Sequence, residues 1–307
     1  MASRPVGITK RNLKLPSMSR RYLLKAAGMK IGLVLSGGGA RGFAHLGVIK
    51  ALQEQGIIID RLAGTSAGAI AGAFTATGFK PDETIKMIES SSFLRHMRPA
   101  WTRMGLLRMD TMVDLYKRYL PADSFEALHI PLHIAAVNLT DGELTIFDKG
   151  ELIRPVLASC CLPGIFEPLL INKKQYIDGG ALNNLPVEPV VDKVDFVIGS
   201  HCNPFPAHKP IRNARGVLER SLVLSVQSKT RERAARCDFF IEPPELVNYA
   251  VTDASRAREI FQVGYRYAKT LNVAATIEKA DVGYFEKRGD RREAAVGLPV
   301  AEANGNG

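Results

Sequence analysis

Long apolar runs are missing from this chain of 307 residues. No stretch approaches the roughly 18 to 20 consecutive apolar residues that a helix needs to cross a bilayer. The sequence therefore predicts no membrane-spanning helix. Hydrophobic residues nevertheless make up 46% of the chain, which is enough to fill a substantial core.

Cysteine is scarce, and its spacing matches no metal-binding pattern. The four cysteines are Cys160, Cys161, Cys202 and Cys237. The first two are adjacent, which is poor geometry for a disulfide bond. We therefore expect reduced thiols in a cytoplasmic protein, without a metal site and without a cofactor.

Acidic residues are absent from the first 30 positions, which hold eight basic ones. The whole chain has 41 basic and 31 acidic residues, a formal net charge of +10. Without those eight, 33 basic residues face 31 acidic ones, a net charge of +2. The excess charge therefore belongs to a tail, which argues against a nucleic-acid-binding core.

The same tail contains a segment, 19–25, that is similar to a twin-arginine export signal through Arg20 and Arg21. Lys30 interrupts the apolar region of that signal, and the apolar run that follows has the character of a first core strand. We therefore expect no export by this route.

The motif Gly64-Thr65-Ser66-Ala67-Gly68 predicts a nucleophile elbow. The apolar run 59–63 is typical of a strand, and the small residues of 67–73 suit a closely packed helix. Ser66 would then occupy a sharp strand-to-helix turn, with the N–H groups of the helix facing any developing oxyanion. The alternative for so short a pattern is a glycine-rich turn capped by a serine.

A glycine loop, Gly37-Gly38-Gly39-Ala40-Arg41-Gly42, follows the apolar pentad 31–35. Strand, glycine loop and helix form an anion-binding layout, because consecutive glycines let backbone N–H groups converge on one point. Beside a serine elbow, this loop predicts an oxyanion hole. Arg41 is placed to orient the loop or to meet a phosphate.

The glycine loop has an alternative interpretation as a dinucleotide fingerprint, because Gly37, Gly39 and Gly42 match G-x-G-x-x-G. Asp60 lies near the distance expected for a ribose-binding acid. However, Asp60 precedes the second predicted strand, whereas a ribose carboxylate should follow one. A nucleotide-binding oxidoreductase is therefore the weaker hypothesis.

A third motif, Asp178-Gly179-Gly180, follows a short strand-like run. An aspartate in this setting can present its carboxylate as the base that removes the proton of a serine. An ordinary Asp-Gly turn is the alternative. His201 is the histidine that suits a triad, since Ser66, Asp178 and His201 follow the chain order of α/β-hydrolases.

Together, the three glycine motifs resemble those of the patatin-like phospholipases in order and spacing. Stretches 158–168 and 183–187 are similar to the short bacterial members, and the resemblance spans about residues 30–271. It implies an α/β, three-layer fold with a central, mostly parallel sheet flanked by helices. It also implies hydrolysis of acyl esters in phospholipids, lysophospholipids or related acylglycerols through a Ser-Asp dyad and an acyl-enzyme.

The resemblance also assigns roles to individual residues. Ser66 matches the nucleophile and Asp178 the base. The oxyanion hole corresponds to Gly37, Gly38, Gly39 and Arg41. The glycines that support the motifs are Gly42, Gly64, Gly68, Gly179 and Gly180.

We divide the chain into a basic, flexible extension (1–29), a hydrolase domain (30–277) and a charged, disordered tail (278–307). Within the domain, segment 93–109 interleaves apolar and cationic residues and has no acid. With the basic extension, it predicts reversible, peripheral contact with an anionic membrane surface. An ordinary amphipathic cap is the alternative. The residues concerned are Arg95, Arg98, Trp101, Arg103 and Arg108.

The expected partner is therefore a lipid ester substrate, and nucleic acid is not an expected partner. The sequence makes no prediction of oligomeric state. A lipid-binding protein that keeps the fold without catalysis is the remaining alternative.

Overall fold

The computed structural model describes residues 28–90, 98–99, 104–204, 211, 213–214, 217, 224, 227 and 229–281. The predicted extension lies outside these residues up to position 27, and the predicted tail lies outside them from position 282.

Strands form a mixed sheet at the centre of the described chain, and a separate two-stranded ribbon pairs β3 with β4. In chain order the strands are β1 (Ile31–Leu35), β2 (Arg61–Thr65), β3 (Arg98–Pro99), β4 (Leu107–Arg108), β5 (Leu132–Asn138), β6 (Glu143–Phe147), β7 (Leu169–Ile171), β8 (Lys174–Asp178), β9 (Phe196–Ser200) and β10 (Phe239–Ile241). The order in the main sheet is β10-β9-β1-β2-β5-β8-β7, with β6 also paired to β5. The pairs from β10 to β5 are parallel, and those of β6, β7 and β8 are antiparallel.

Helices cover both faces of the sheet. They are α1 (Phe43–Glu54), α2 (Ala67–Ala76), α3 (Pro81–Ser90), α4 (Val113–Tyr119), α5 (Ile153–Ala158), α6 (Glu188–Val191) and α7 (Ala257–Thr270), and residues 229–234 and 273–281 are also helical. Leu33 and Leu35 of β1 belong to the large core cluster on the α1 and α2 face, whereas Val34 packs with Val190 of α6 on the other.

This two-sided burial explains why the parallel strands are almost continuously apolar. It confirms the predicted three-layer α/β fold with a mostly parallel sheet. Among the helices of the described part, none combines the length and the apolar character that crossing a membrane requires.

Strand β5 brings two distant chain segments together. Along its first half it pairs in parallel with β2, ending at Thr65 opposite Ala135. Along its second half it pairs antiparallel with β8, whose last residue, Asp178, lies opposite Ala136. The carboxyl ends of β2 and β8 therefore meet at one point of the sheet, and Ser66 is the next residue of the chain after Thr65.

Candidate active site

Ser66 occupies a strained turn between β2 and α2. Its backbone has φ 53° and ψ −121°, a conformation that residues with a side chain rarely adopt. The turn is tight because Gly64 and Gly68 have no side chains: a Cβ on Gly64 would lie 2.5 Å from the carbonyl oxygen of Gly68. The elbow geometry predicted from the motif is thus present around Ser66.

A buried serine anchors this turn. The Ser66 N–H donates to Oγ of Ser159 at 2.7 Å, and the Ser159 hydroxyl donates to the carbonyl oxygen of Ala135 at 2.6 Å. Ser159 thereby ties the elbow to β5. The sequence analysis predicted no role for Ser159. Its position in stretch 158–168, which is similar to the family, was the only indication that it belongs to the site.

Asp178 lies beside Ser66 at the end of β8 and is only 6% exposed. Its carboxylate accepts the Gly180 N–H at 2.7 Å and shares a side-chain hydrogen bond with Ser66. Burial raises the pKa of Asp178 from 3.8 to about 6, while the hydrogen bonds from Ser66 and Gly180 oppose the shift. Above pH 6 this carboxylate is ionised and more basic than an ordinary aspartate. The structure therefore brings together the two residues that the sequence singled out.

The glycine loop lies against the same turn. A Cβ on Gly37 would stand 3.2 Å from Cβ of Ser66. The Gly37 N–H donates to the backbone carbonyl of Asn184 at 3.1 Å. For the N–H groups of Gly38 and Gly39, by contrast, the described residues provide no acceptor. The loop beside Ser66 thus contains two backbone donors that have no acceptor in the described part of the chain.

The Arg41 side chain is hydrogen-bonded to residues from outside this loop. Its Nε donates to the carbonyl oxygen of Tyr249 at 2.6 Å, and its Nη1 lies 3.4 Å from Oδ1 of Asn203. Burial lowers the pKa of Arg41, partly offset by the charges of Cys202 and Asp253. Of the four residues expected in the oxyanion hole, Gly38 and Gly39 have unpaired N–H groups, and Arg41 braces the loop.

Asn184 is a further polar residue at the site. The Cβ position of Gly37 lies 2.5 Å from its Oδ1, and the Cβ position of Gly180 lies 3.1 Å from the same atom. The half-buried side chain thus lies between the glycine loop and the Asp178 turn. The sequence marked Asn184 only as part of stretch 183–187.

His201 does not join Ser66 and Asp178. Its Nδ1 pairs with Oε1 of Glu242 at 2.6 Å, and its ring stacks on Phe240. Its Nε2 has no hydrogen-bond partner among the described residues. The arrangement that a Ser66–His201–Asp178 triad requires is therefore not present.

His45 is buried and serves the framework. Its Nε2–H donates to the carbonyl oxygen of Ser36, and its Nδ1 accepts from the hydroxyl of Ser200, each at 2.9 Å. Burial lowers the pKa of His45 to about 4, so the ring is neutral at physiological pH. His45 ties the end of β1 to the end of β9.

Asp60 lies at the edge of the sheet where the strands begin. Its Oδ2 accepts the Ile31 N–H at 2.7 Å, at the start of β1. The glycine loop follows the other end of the same strand, so Asp60 does not face it. The dinucleotide interpretation lacks its ribose-binding acid. In the described part of the chain, no cluster of three His, Cys, Asp or Glu side chains is arranged to hold a metal ion.

The predicted interfacial segment is only partly described. Arg95, Trp101 and Arg103 lie outside the described residues, and Arg98 is described through its backbone in β3. Arg108 pairs with Asp110. Nearby, the side chains of Met104 and Leu106 are exposed, Leu106 by 70%.

Comparison with known proteins identifies the family. The model of the patatin-like phospholipase family matches residues 33–191. Lysophospholipase NTE1 of Kluyveromyces lactis is 30% identical over 277 residues, which cover 78% of this chain and 19% of that protein. An uncharacterized NTE family protein of Mycobacterium tuberculosis is 32% identical over 179 residues, 57% of this chain and 49% of the relative. The chain thus spans about a fifth to a half of the length of these curated relatives.

Among solved structures, VipD from Legionella pneumophila aligns with a TM-score of 0.46 and 16% identity, over 82% of this chain and 67% of VipD. The family match covers both the glycine loop and the Ser66 elbow and extends past Asp178. The chain belongs to the patatin-like phospholipase family.

Proposed function

We propose that this protein hydrolyses carboxylic esters of lipids, with Ser66 as the nucleophile and Asp178 as the general base. The observation that carries the proposal is the contact between a strained, anchored serine and a buried carboxylate of raised pKa. Two unpaired N–H groups beside that contact are suited to stabilise an oxyanion. Membership of the patatin-like phospholipase family supports the lipid ester as substrate.

In the acylation step, the Asp178 carboxylate takes the Ser66 hydroxyl proton while Oγ forms a bond to the ester carbonyl carbon. The electron pair of the carbonyl moves onto its oxygen, which the N–H groups of Gly38 and Gly39 bind. The tetrahedral intermediate collapses, its bond to the alkoxy oxygen breaks, and that oxygen takes the proton from Asp178. An alcohol leaves, and the acyl group stays on Ser66.

In the deacylation step, water replaces the alcohol. Asp178 accepts a proton from the water while the water oxygen attacks the acyl carbon. The N–H groups of Gly38 and Gly39 bind the second oxyanion. Collapse of that intermediate releases a fatty acid and returns the proton to Oγ of Ser66. Each group ends in its starting state, so the dyad needs no histidine.

We propose phospholipids, lysophospholipids or related acylglycerols as the substrate class. The names of the NTE1 relatives, lysophospholipases, support this choice. Two exposed leucines near Asp178 also support a substrate with an apolar acyl chain. Leu182 follows the Asp178 turn directly. Leu162 is next to Cys161, whose carbonyl accepts the Asp178 N–H at 2.9 Å.

The experiment compares the purified protein with Ser66→Ala on a panel of lipid esters. Loss of the nucleophile should lower kcat by on the order of 10³-fold or more. Ser124→Ala, at a half-buried serine whose hydroxyl donates to Glu126, is the matched control and should keep wild-type activity. A p-nitrophenyl phosphonate should label the wild type at Ser66 and release p-nitrophenolate. Labelling that persists in Ser66→Ala would contradict the assignment.

His201→Ala separates the dyad from the triad. Because His201 pairs with Glu242, this variant should keep most of the activity. A loss as large as that of Asp178→Asn, in a folded protein, would favour the triad. A wild type that binds lipid but hydrolyses no ester would favour the catalytically silent alternative.

We further propose that the protein is cytoplasmic and touches anionic membranes reversibly. The basic residues of the first 30 positions would contribute about 1 kcal/mol for each Lys or Arg held near the surface, less in high salt. Exposed Met104 and Leu106 are suited to the lipid interface. Arg108 is paired with Asp110, so its charge is already partly neutralised by the protein.

Co-sedimentation with anionic vesicles tests this contact. The full chain should bind and dissociate at high salt. A form beginning at Met29, and a Trp101→Ala variant with Arg95, Arg98 and Arg103 neutralised, should bind less. Equal, salt-insensitive binding by all three would rule the proposal out and leave the segment as an ordinary cap with no role at the membrane.

A further inference from the structure

Asn203 bridges the glycine loop and Arg41. Its Nδ2 donates to the carbonyl oxygen of Gly37 at 2.5 Å, and its Oδ1 faces Nη1 of Arg41 at 3.4 Å. A carbonyl oxygen only accepts hydrogen bonds, and a guanidinium only donates them. The two partners therefore fix which end of the Asn203 amide faces each of them.

This bond controls the orientation of one peptide unit. In a planar trans peptide, the carbonyl of Gly37 and the N–H of Gly38 point in opposite directions. With the carbonyl held on the Asn203 side, the Gly38 N–H is directed away from Asn203, and it is one of the two unpaired donors beside Ser66. The Cys202 thiol lies 3.3 Å from the same carbonyl and supports it.

A loop of consecutive glycines needs such support. Glycine populates positive and negative φ almost equally, so its neighbouring peptide units rotate easily. Rotation of the Gly37–Gly38 unit would turn a carbonyl oxygen toward the position of the oxyanion and repel it. Hydrogen bonds to the Gly37 carbonyl select one orientation; Asn203 donates the shortest of them, and the Ser36 hydroxyl at 3.0 Å and the Cys202 thiol donate the others.

One further hydrogen bond reaches Asn203, and its partner Arg41 is itself anchored. Its backbone carbonyl accepts a hydrogen bond from Nε2 of Gln227 at 2.9 Å. Arg41, on the other side, is anchored at 2.6 Å to the carbonyl oxygen of Tyr249. The Gln227 bond reaches only the main chain of Asn203, so the direction of the side-chain amide is set by Gly37 and Arg41.

We propose that Asn203 is a positioning residue for ester hydrolysis: it locks the Gly37–Gly38 peptide so that the Gly38 N–H faces the oxyanion. The role rests on the proposed function and adds a residue to it. Asparagine suits this place because it donates to Gly37 and accepts from Arg41. Aspartate can do only the second.

Asn203→Asp is the decisive variant, because it keeps the size and the acceptor for Arg41 and replaces the Asn203 donor to Gly37 with a charged acceptor, and Asn203→Ala removes the same donor without adding a charge. We expect kcat to fall about 10- to 100-fold with KM changed less than about twofold, since the oxyanion contact exists only in the transition state. Gln227→Leu is the matched control. It removes a hydrogen bond to the main chain of the same residue, leaves the side-chain amide with its two partners, and should keep kcat.

The labelling rate of Ser66 by p-nitrophenyl phosphonate, followed by mass spectrometry, gives a second readout that needs no lipid. It should fall by the same factor as kcat in Asn203→Asp. If that variant unfolds early, the uncharged Asn203→Ala, checked by thermal melting, takes its place.

Retention of kcat and of the labelling rate in the Asn203 variants would overturn the positioning role. So would a rise in KM alone, or an equal loss in Gln227→Leu. These outcomes leave the proposed function intact when the wild type hydrolyses esters and is labelled at Ser66. A wild type that does neither would overturn both.

Discussion

The two edges of the parallel sheet, where its strands begin and where they end, are built in opposite ways. At the edge where strands begin, three aspartates directly precede strands, and each accepts a backbone N–H from the neighbouring strand or from the residue just before it. The pairs are Asp60 with Ile31, Asp195 with Lys30, and Asp238 with Val197, at 2.7 to 2.8 Å. These carboxylates therefore serve as hydrogen-bond acceptors for backbone N–H groups at this edge of the sheet.

At the edge where strands end, the corresponding groups are strained, deeply buried or without a protein acceptor. Ser66 has a positive φ, Asp178 is a buried carboxylate of raised pKa, and the N–H groups of Gly38 and Gly39 lack acceptors among the described residues. Such features cost stability and persist only where the surrounding structure enforces them. The difference teaches that position in the sheet, more than residue type, separates a structural aspartate from a candidate base.

Exchanging one aspartate at each edge gives the largest expected contrast. Asp178→Asn should lower kcat by on the order of 10³-fold or more, because the base is lost. Asp60→Ala should keep activity and lower the free energy of unfolding by about 1 to 3 kcal/mol, because the Ile31 N–H loses its acceptor. Steady-state kinetics and denaturant melts measure the two effects.

The raised pKa of Asp178 also predicts the direction in which Asp178→Asn changes the free energy of unfolding. Because the folded-state pKa is raised, the stability associated with the protonated carboxyl is present at low pH and is lost as pH rises through about 6. At pH 8 the variant should therefore be no less stable than the wild type, with a gain of up to about 3 kcal/mol. Marked destabilisation of Asp178→Asn, or inactivation of Asp60→Ala, would break the comparison.

A second contrast uses two glycines. A Cβ on Gly38 would lie 2.3 Å from Sγ of Cys202 and 3.0 Å from Oδ1 of Asn203, so Gly38→Ala must displace the loop. We expect kcat to fall about 100-fold, the usual size of a lost oxyanion contact.

Gly142→Ala is the control for backbone strain. Gly142 has φ 75° in the turn between β5 and β6, and a Cβ there meets open space. It should cost about 1 kcal/mol in stability and leave kcat unchanged. Equal kcat in both variants would show that the glycine loop takes no part in the reaction.

The smallest expected effect is a pH dependence. General-base action requires ionised Asp178, so kcat/KM should rise with an apparent pKa of about 6 and fall about tenfold from its plateau to pH 5. His45, with a pKa lowered to about 4, stays neutral over this range. Thermal melts at each pH check that the protein remains folded. A flat profile between pH 5 and 8 would exclude Asp178 as the base.

The sequence predicted the features that are encoded locally. Strand β1, the glycine loop and the elbow each depend on a few adjacent residues, so their patterns are readable without the fold. The strand before the elbow was placed at 59–63, whereas β2 runs over Arg61–Thr65 and ends directly at Ser66. The shift arises because the strand continues through Gly64 into the turn.

Residues that act through long-range pairing were not predicted. Ser159 reaches Ser66 only because α5 ends beside β5, and Asn203 reaches Gly37 only because β9 pairs with β1. No local pattern states which strands are neighbours. The same gap applies to Arg41: its place after the glycines predicted that it orients the loop or meets a phosphate, but no local pattern named Tyr249 and Asn203 as its partners.

The meeting of β2 and β8 on β5 also has a consequence for how the protein reaches its native state. Ser66 follows β2, early in the chain, whereas Asp178 ends β8, much later. Each of these strands pairs with a different half of β5. Such distant pairings form slowly compared with helices and turns. During refolding, esterase activity should therefore return later than helical circular dichroism. The return of esterase activity would then report when pairing of the sheet is complete.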